Sequence, residues 1–87
     1  MIVNWSRTSE FIRNARIKAG YSQTDISKVL GLGSPQYISN FERGESGLSL
    51  DHLINICLEL NLNTNKLITT MSRDYASSIA TRVLELT

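Results

Sequence analysis

The 87-residue sequence predicts an all-α fold. Three observations carry that expectation. Apolar residues recur at spacings of three and four, and no period-2 run of β-branched residues is present. Glycines and the single proline cut the chain into pieces of helical length. With 41% apolar residues in so short a chain, the elements share one modest core.

The first helix is expected over about 9–19, where Ile12, Ala15 and Ala19 form one apolar stripe and Gly20 ends it. The second covers about 23–30, with Ser22 as N-cap, Ile26, Val29 and Leu30 as its core face and Gly31 beyond its end. A third begins at Ser34, and Pro35 falls at its first helical position, where a missing N–H costs nothing. Ile38 and Phe41 point inward from it, and Gly44 ends it. Ser49 caps a fourth helix, on which Leu50, Leu53, Ile56, Cys57 and Leu60 make a continuous stripe. Asn61 takes the left-handed position after its last turn. A short fifth helix follows Asn63 and carries Leu67 and Ile68. Residues 72–86 read as one more helix, with Tyr75, Ile79, Val83 and Leu86 at spacings of three and four. The resulting organisation is an N-terminal segment 1–8, a domain 9–70 and a C-terminal helix 71–87.

The net charge of +1 is small, but its distribution is uneven. Residues 1–44 carry six basic against three acidic side chains, and residues 45–87 carry three against five, giving +3 and −2. A basic front and an acidic back fit a molecule with one nucleic-acid face. Cys57 is alone, lies on an apolar stripe and reads as packing. His52 has nothing of metal-ligand spacing near it, so no metal or other cofactor is expected. Trp5 is expected to fold back onto helix one or five. The start MIVNWSRTSEF lacks the apolar run of a signal peptide, and no stretch is long and apolar enough for a membrane span. Cytoplasmic localisation is the default expectation. One histidine, one cysteine, no Gly-rich phosphate loop and no paired carboxylates at a useful spacing argue against an enzyme.

Two short helices joined by a glycine-containing turn, the second polar on its outer face, make a helix-turn-helix pattern. The second helix is held from behind by Ile38 and Phe41, so its front is free to enter a major groove. That front shows Gln36, Tyr37, Asn40 and Arg43. Gln and Asn amides pair with adenine edges and Arg with guanine, each good pair contributing about 1–3 kcal/mol of discrimination. Without its flanking framework, the same face would read as an ordinary solvated helix surface.

Four blocks supply that framework: IRNARIKAGYSQ (12–23), DISKVLGL (25–32), YISNFERG (37–44) and LSLDHLINICLELNLNTNKLI (48–68). In this order and spacing they resemble the Cro/phage-repressor (XRE) class of helix-turn-helix proteins, over about two-thirds of the chain. The resemblance implies a five-helix, lambda-repressor-like domain with an additional C-terminal helix, reading double-stranded DNA. It places Gln23 and Lys28 at phosphate contacts, Gln36 and Asn40 at base-reading positions, and Arg43 near the phosphate backbone at the end of the recognition helix 34–43. Ser34, at the start of that helix, and Tyr37 join this DNA-contacting set. Arg16 and Glu42 match an ion pair that ties helix one to helix three. Two departures stand out. The turn between Gly31 and Ile38 is one residue longer than the commonest spacing, and Ser27 replaces the usual alanine.

The C-terminal stripe of Tyr75, Ile79, Val83 and Leu86 needs a cover: its own domain, the same helix of a second subunit, or another protein. The expected function is a sequence-specific transcriptional regulator, a dimeric repressor read through helix three. The alternative is an antitoxin-type protein-interaction module whose C-terminal helix binds a partner. Operator sequence, repression against activation and the control of binding are left open by the sequence.

Overall fold

A computed structural model describes residues 2–87, and it contains five helices and no strand among them. These are α1 (Ser6–Lys18), α2 (Gln23–Val29), α3 (Gln36–Glu42), α4 (Leu50–Glu59) and α5 (Thr64–Leu86). Ile12, Ile26, Ile38, Phe41, Leu53, Ile56, Cys57 and Leu67 form one buried cluster to which every helix contributes. Half-buried Phe11, Tyr21, Leu30, Leu32, Leu60 and Met71 close it at the edges. No described helix is long and apolar enough to cross a membrane.

The helix starts follow local chemistry at α2, α4 and α5. Ser22 caps α2 reciprocally: its hydroxyl accepts from the Asp25 N–H at 2.9 Å, and the Asp25 carboxylate accepts from the Ser22 N–H at 2.8 Å. That hydrogen bond holds the Asp25 carboxyl below its ordinary range. The Ser49 hydroxyl accepts from the His52 N–H, and the Asn63 side chain accepts from Asn65 and Lys66. Asn61 is left-handed at φ 52°, and Gly31 is at φ 70°, a conformation that favours glycine.

Helix α1 differs. It begins at Ser6, earlier than the sequence suggests, and its N-cap residue Trp5 makes no side-chain cap. The one local cap bond runs from the Ser6 N–H to the Asn4 amide oxygen at 3.1 Å. The rest of its cap comes from 66 residues away. The buried Asp74 carboxylate of α5 accepts the Thr8 N–H and the Thr8 hydroxyl, each at 2.8 Å, and the Arg7 N–H at 3.3 Å. Ser78, one turn further along α5, accepts from the Asn4 N–H at 2.9 Å.

The expected short fifth helix and the separate 72–86 helix are one continuous rod. Nothing between Thr64 and Leu86 is glycine or proline, and the polar Thr69–Thr70 pair does not interrupt it. Their hydroxyls donate back to the Asn65 and Lys66 carbonyls, as a threonine inside a helix does. A 23-residue helix is about 34 Å long, so its distal half runs past the core and stretches the molecule to 44 × 26 × 20 Å.

Four expected core residues lie outside. Ala19, Val29, Leu50 and Ile68 are exposed. Ala19, the C-cap of α1, keeps helical dihedrals and lies with Ala15 along an open groove rather than in the core. On α2 the inner face is Ile26, Ser27 and Leu30, which leaves Val29 on the flank. On α4 it is Leu53, Ile56, Cys57 and Leu60, a band too narrow for Leu50. Trp5 also departs from expectation. Its indole lies over Gly47 in the α3–α4 loop, where a Cβ would sit 3.3 Å from the ring nitrogen.

Candidate nucleic-acid interface

Helix α3 is seven residues long and is anchored by two side chains. Ile38 and Phe41 are both 1% exposed and fix the helix from behind. The longer α2–α3 turn is closed by its own residues. The Leu32 N–H reaches back to the Ser27 carbonyl at 2.8 Å, and the Leu32 side chain seals the core edge. The Ser34 hydroxyl then accepts from the Gln36 N–H at 3.1 Å. Ser27 itself is buried and donates to the Thr24 carbonyl at 2.7 Å, so a hydroxyl is accommodated where a methyl would pack.

The outer face of α3 is an ordered polar surface. The Asn40 amide oxygen accepts from the Gln36 amide at 2.7 Å and from the Arg43 guanidinium at 2.9 Å. Arg43 also donates to the Ser39 hydroxyl at 2.9 Å and pairs with Glu45 at 3.1 Å. Gln36, Asn40 and Arg43 therefore form one connected set, with exposed Tyr37 beside it. These bonds are surface bonds, and each contributes little net stability because water can replace it. A base edge or phosphate oxygen can replace them as readily.

The support behind that face is charged and buried. The Arg16 guanidinium grips the Glu42 carboxylate through two bonds, Nε to Oε2 at 2.7 Å and Nη2 to Oε1 at 2.9 Å. Its remaining arm donates to the Tyr21 carbonyl at 2.7 Å. The Gln23 amide, at the first position of α2, donates to Glu42 Oε1 at 3.1 Å. The Glu42 side chain is 3% exposed and that of Arg16 10%, so α1, α2 and α3 are joined through one nearly dry carboxylate. Exposed Arg13 approaches the same carboxylate at 3.8 Å.

The structure thus brings Gln36, Tyr37, Asn40 and Arg43 onto one face, with Ser34 at its start. Gln23 is half-buried at the edge of that face, where Glu42 holds its amide, and Lys28 stands apart on the exposed side of α2. Tyr75, Ile79, Val83 and Leu86 are exposed along α5, from 39% at Ile79 to 70% at Leu86, and none belongs to the core cluster. Three contributors are new. Ser39 and Glu45 hold Arg43, and Ile68 extends the α5 stripe by two turns once the helix is continuous. A second exposed apolar row, Leu50, Ile54 and Leu58, runs along α4. Its i, i+4 spacing was visible in the sequence, but it was hidden beside the stronger core stripe.

Comparison with known proteins agrees with this geometry. The sequence pattern of the helix-turn-helix family matches residues 12–67. No curated protein matches the chain. Among solved structures, the clp gene regulator ClgR of Corynebacterium glutamicum superposes with a TM-score of 0.68 at 22% identity, covering 98% of this chain and 94% of that one. The wild-type restriction-modification controller protein C.Esp1396I superposes with a TM-score of 0.64 at 25% identity, covering 82% of this chain and 97% of that one. A point mutant of the same controller gives 0.65 at 24% identity, with 80% and 92% covered.

Proposed function

The chain belongs to the XRE-type helix-turn-helix family, whose members are DNA-binding regulators, and from that premise we propose that it is a homodimeric, sequence-specific transcriptional repressor. The observation that carries the reading is the outer face of α3. Three side chains able to read bases or grip phosphates are mutually aligned there, on a helix locked from behind by Ile38, Phe41 and the Glu42 carboxylate. In this reading Gln36, Tyr37 and Asn40 meet base edges in the major groove. Gln23, Lys28, Ser34 and Arg43 meet phosphates and set the register.

The dimer rests on α5. Ile68, Ser72, Tyr75, Ile79, Val83 and Leu86 follow one another at spacings of four, three, four, four and three, a single stripe along the rod. Tyr75, Val83 and Leu86 are each more than half exposed, which is a large apolar surface for a chain of this size to leave in water. A second copy related by a two-fold axis would cover it and present two reading helices to two half-sites. Repression would follow from occupancy of a promoter. The neighbours named above are a gene regulator and a controller protein, which favours this reading over a toxin-binding one.

The test is a fluorescence-anisotropy titration against the DNA upstream of the protein's own gene, run beside scrambled DNA and the Gln36→Ala, Asn40→Ala double variant. Tight binding by the wild type alone, and only to the native sequence, is the expected result. Equal, salt-sensitive binding of all duplexes by both proteins would remove α3 as a reader.

A further inference from the structure

Beside the reading face and the α5 stripe, the molecule carries a third surface. An open groove of about 790 Å³ runs between α1, the α4–α5 turn and the first half of α5. Half-buried Phe11, Leu60 and Leu62 give it an apolar floor. Its rim holds Arg7, Lys18, Lys66 and Arg73 against a single carboxylate, Glu10. Arg7 is committed to Asp74 at 3.2 Å, which leaves three cations facing one acid. Among the described residues Lys18, Lys66 and Arg73 have no ion-pair partner. In a chain whose net charge is +1, two positive charges in excess around one groove are a concentrated feature. The Lys66 ammonium lies 5.5 Å from the Phe11 ring centroid, so one cation is already positioned over the apolar floor.

We propose that this groove is a docking site for an acidic, apolar-anchored peptide segment of another protein. The position of the groove separates it from the other two surfaces. On α1, Phe11 and Lys18 lie roughly 150° around the helix from Arg13, the residue that approaches α3. On α5, Lys66 and Arg73 lie roughly 120–180° around from Tyr75 and Ile79. The groove therefore stays open with DNA on α3 and with a second subunit on the stripe. Its shape selects a peptide over a duplex. Phosphates on a wide cylinder do not enter a channel between two packed helices, whereas a single segment inserts apolar side chains onto Phe11 and Leu62 and sets its carboxylates against both rims. A regulator bound to DNA would present this groove outward, toward proteins assembling beside it.

The test uses the full chain and a fluorescein-labelled synthetic peptide of about a dozen residues, in which Asp and Glu alternate with Leu and Phe, long enough for about three helical turns. A peptide with Lys in place of every acid is the control. Anisotropy should report saturable binding of the acidic peptide alone, weakening with salt. Lys18→Glu with Arg73→Glu should weaken it at least about tenfold, a change of about 1.4 kcal/mol. The neutral pair Lys18→Gln with Arg73→Gln gives the same readout, with a smaller loss, should charge reversal disturb folding. Asn40→Ala should leave peptide binding unchanged. Absence of peptide binding, or binding indifferent to both pairs, overturns the proposal. So does a labelled non-specific duplex that loses affinity as strongly as the peptide in the Lys18 and Arg73 variants, which would make the groove a nucleic-acid surface.

Discussion

The Asp74 carboxylate and Thr8 form a helix cap across the fold: Asp74 Oδ2 accepts both the backbone N–H and the hydroxyl of Thr8 at 2.8 Å, and both residues are fully buried. The negative charge sits where the free N–H groups and the dipole of α1 favour an anion. It also joins the long α5 rod to the N-terminus of the domain. Asp74→Ala leaves two buried donors without an acceptor, and the expected loss is about 2–4 kcal/mol. Asp74→Asn keeps one acceptor oxygen and should lose less. Urea denaturation at constant slope measures both. Trp5, the single tryptophan, reports the same event locally, since release of the Asn4–Thr8 segment should move its indole off Gly47 and shift its emission to the red. An Asp74→Ala protein within about 0.5 kcal/mol of wild type would show that the cap carries no load.

Glu42 is the single acceptor for groups from α1 and α2, and so its loss should be felt in both folding and reading. Glu42→Ala strands the nearly buried Arg16 guanidinium, and removing one partner of such a pair costs about 3–5 kcal/mol. Replacing both, Arg16→Met with Glu42→Leu, should recover most of that stability, because the pair itself adds little over a packed apolar contact. The double variant should still bind DNA less well than wild type, since Gln23 loses the oxygen that orients it. Chemical denaturation and an operator titration on the three variants separate the two effects. A double variant as unstable as Glu42→Ala alone would contradict this account.

The parts of the fold that were readable in the sequence are those set by local chemistry. Ser22, Ser49 and Asn63 announce helix starts because a short polar side chain before an apolar repeat can accept from the helix's own N–H groups. Ile38 and Phe41 announce the inner face of α3 by their spacing. The start of α1 was hard to read, because the donors of Arg7 and Thr8 are satisfied from α5 and the only local sign is Asn4, whose side chain accepts the Ser6 N–H. The join at Thr69–Thr70 was not readable for a different reason. Two adjacent residues of low helix propensity look like a helix end, although Ile68, Met71 and Tyr75 keep the helical spacing across them and no Gly or Pro interrupts the backbone. Leu50 and Ile68 satisfy the helical period yet lie outside, since periodicity does not tell how wide a stripe the neighbouring helices can cover. The polar residues of α3 could be named from the sequence, but their shared hydrogen bonds through Asn40 are a property of the folded helix.

Asp25 makes the cap of α2 sensitive to acid. The Ser22 N–H, followed by the Ser22 hydroxyl, holds the Asp25 carboxyl below its ordinary value of 3.8. A carboxyl depressed by folding contributes stability that is fully present above its unfolded value and is lost as pH falls through its folded value. The stability difference between wild type and Asp25→Asn should therefore be constant near neutrality and shrink below about pH 4. Urea midpoints at neutral pH and at about pH 3 measure it. A difference that stays constant over that interval would mean that the Asp25 charge does not support the cap.

Val83 lies on the distal part of α5, more than half exposed and remote from the core cluster, so its replacement tests association without disturbing the domain. Val83→Asp places a charge on each copy where the proposed two-fold axis would bring them together, and burying such a pair is strongly unfavourable. The thermal midpoint of the isolated domain should change little. The sedimentation profile should move from dimer to monomer, and operator affinity should fall steeply, because a single seven-residue reading helix with few phosphate contacts binds weakly. A monomeric Val83→Asp protein that keeps full operator affinity would separate DNA reading from the α5 stripe. A Val83→Asp protein that stays dimeric would move the interface elsewhere, and the exposed Leu50, Ile54 and Leu58 row on α4 would be the next place to put a charge.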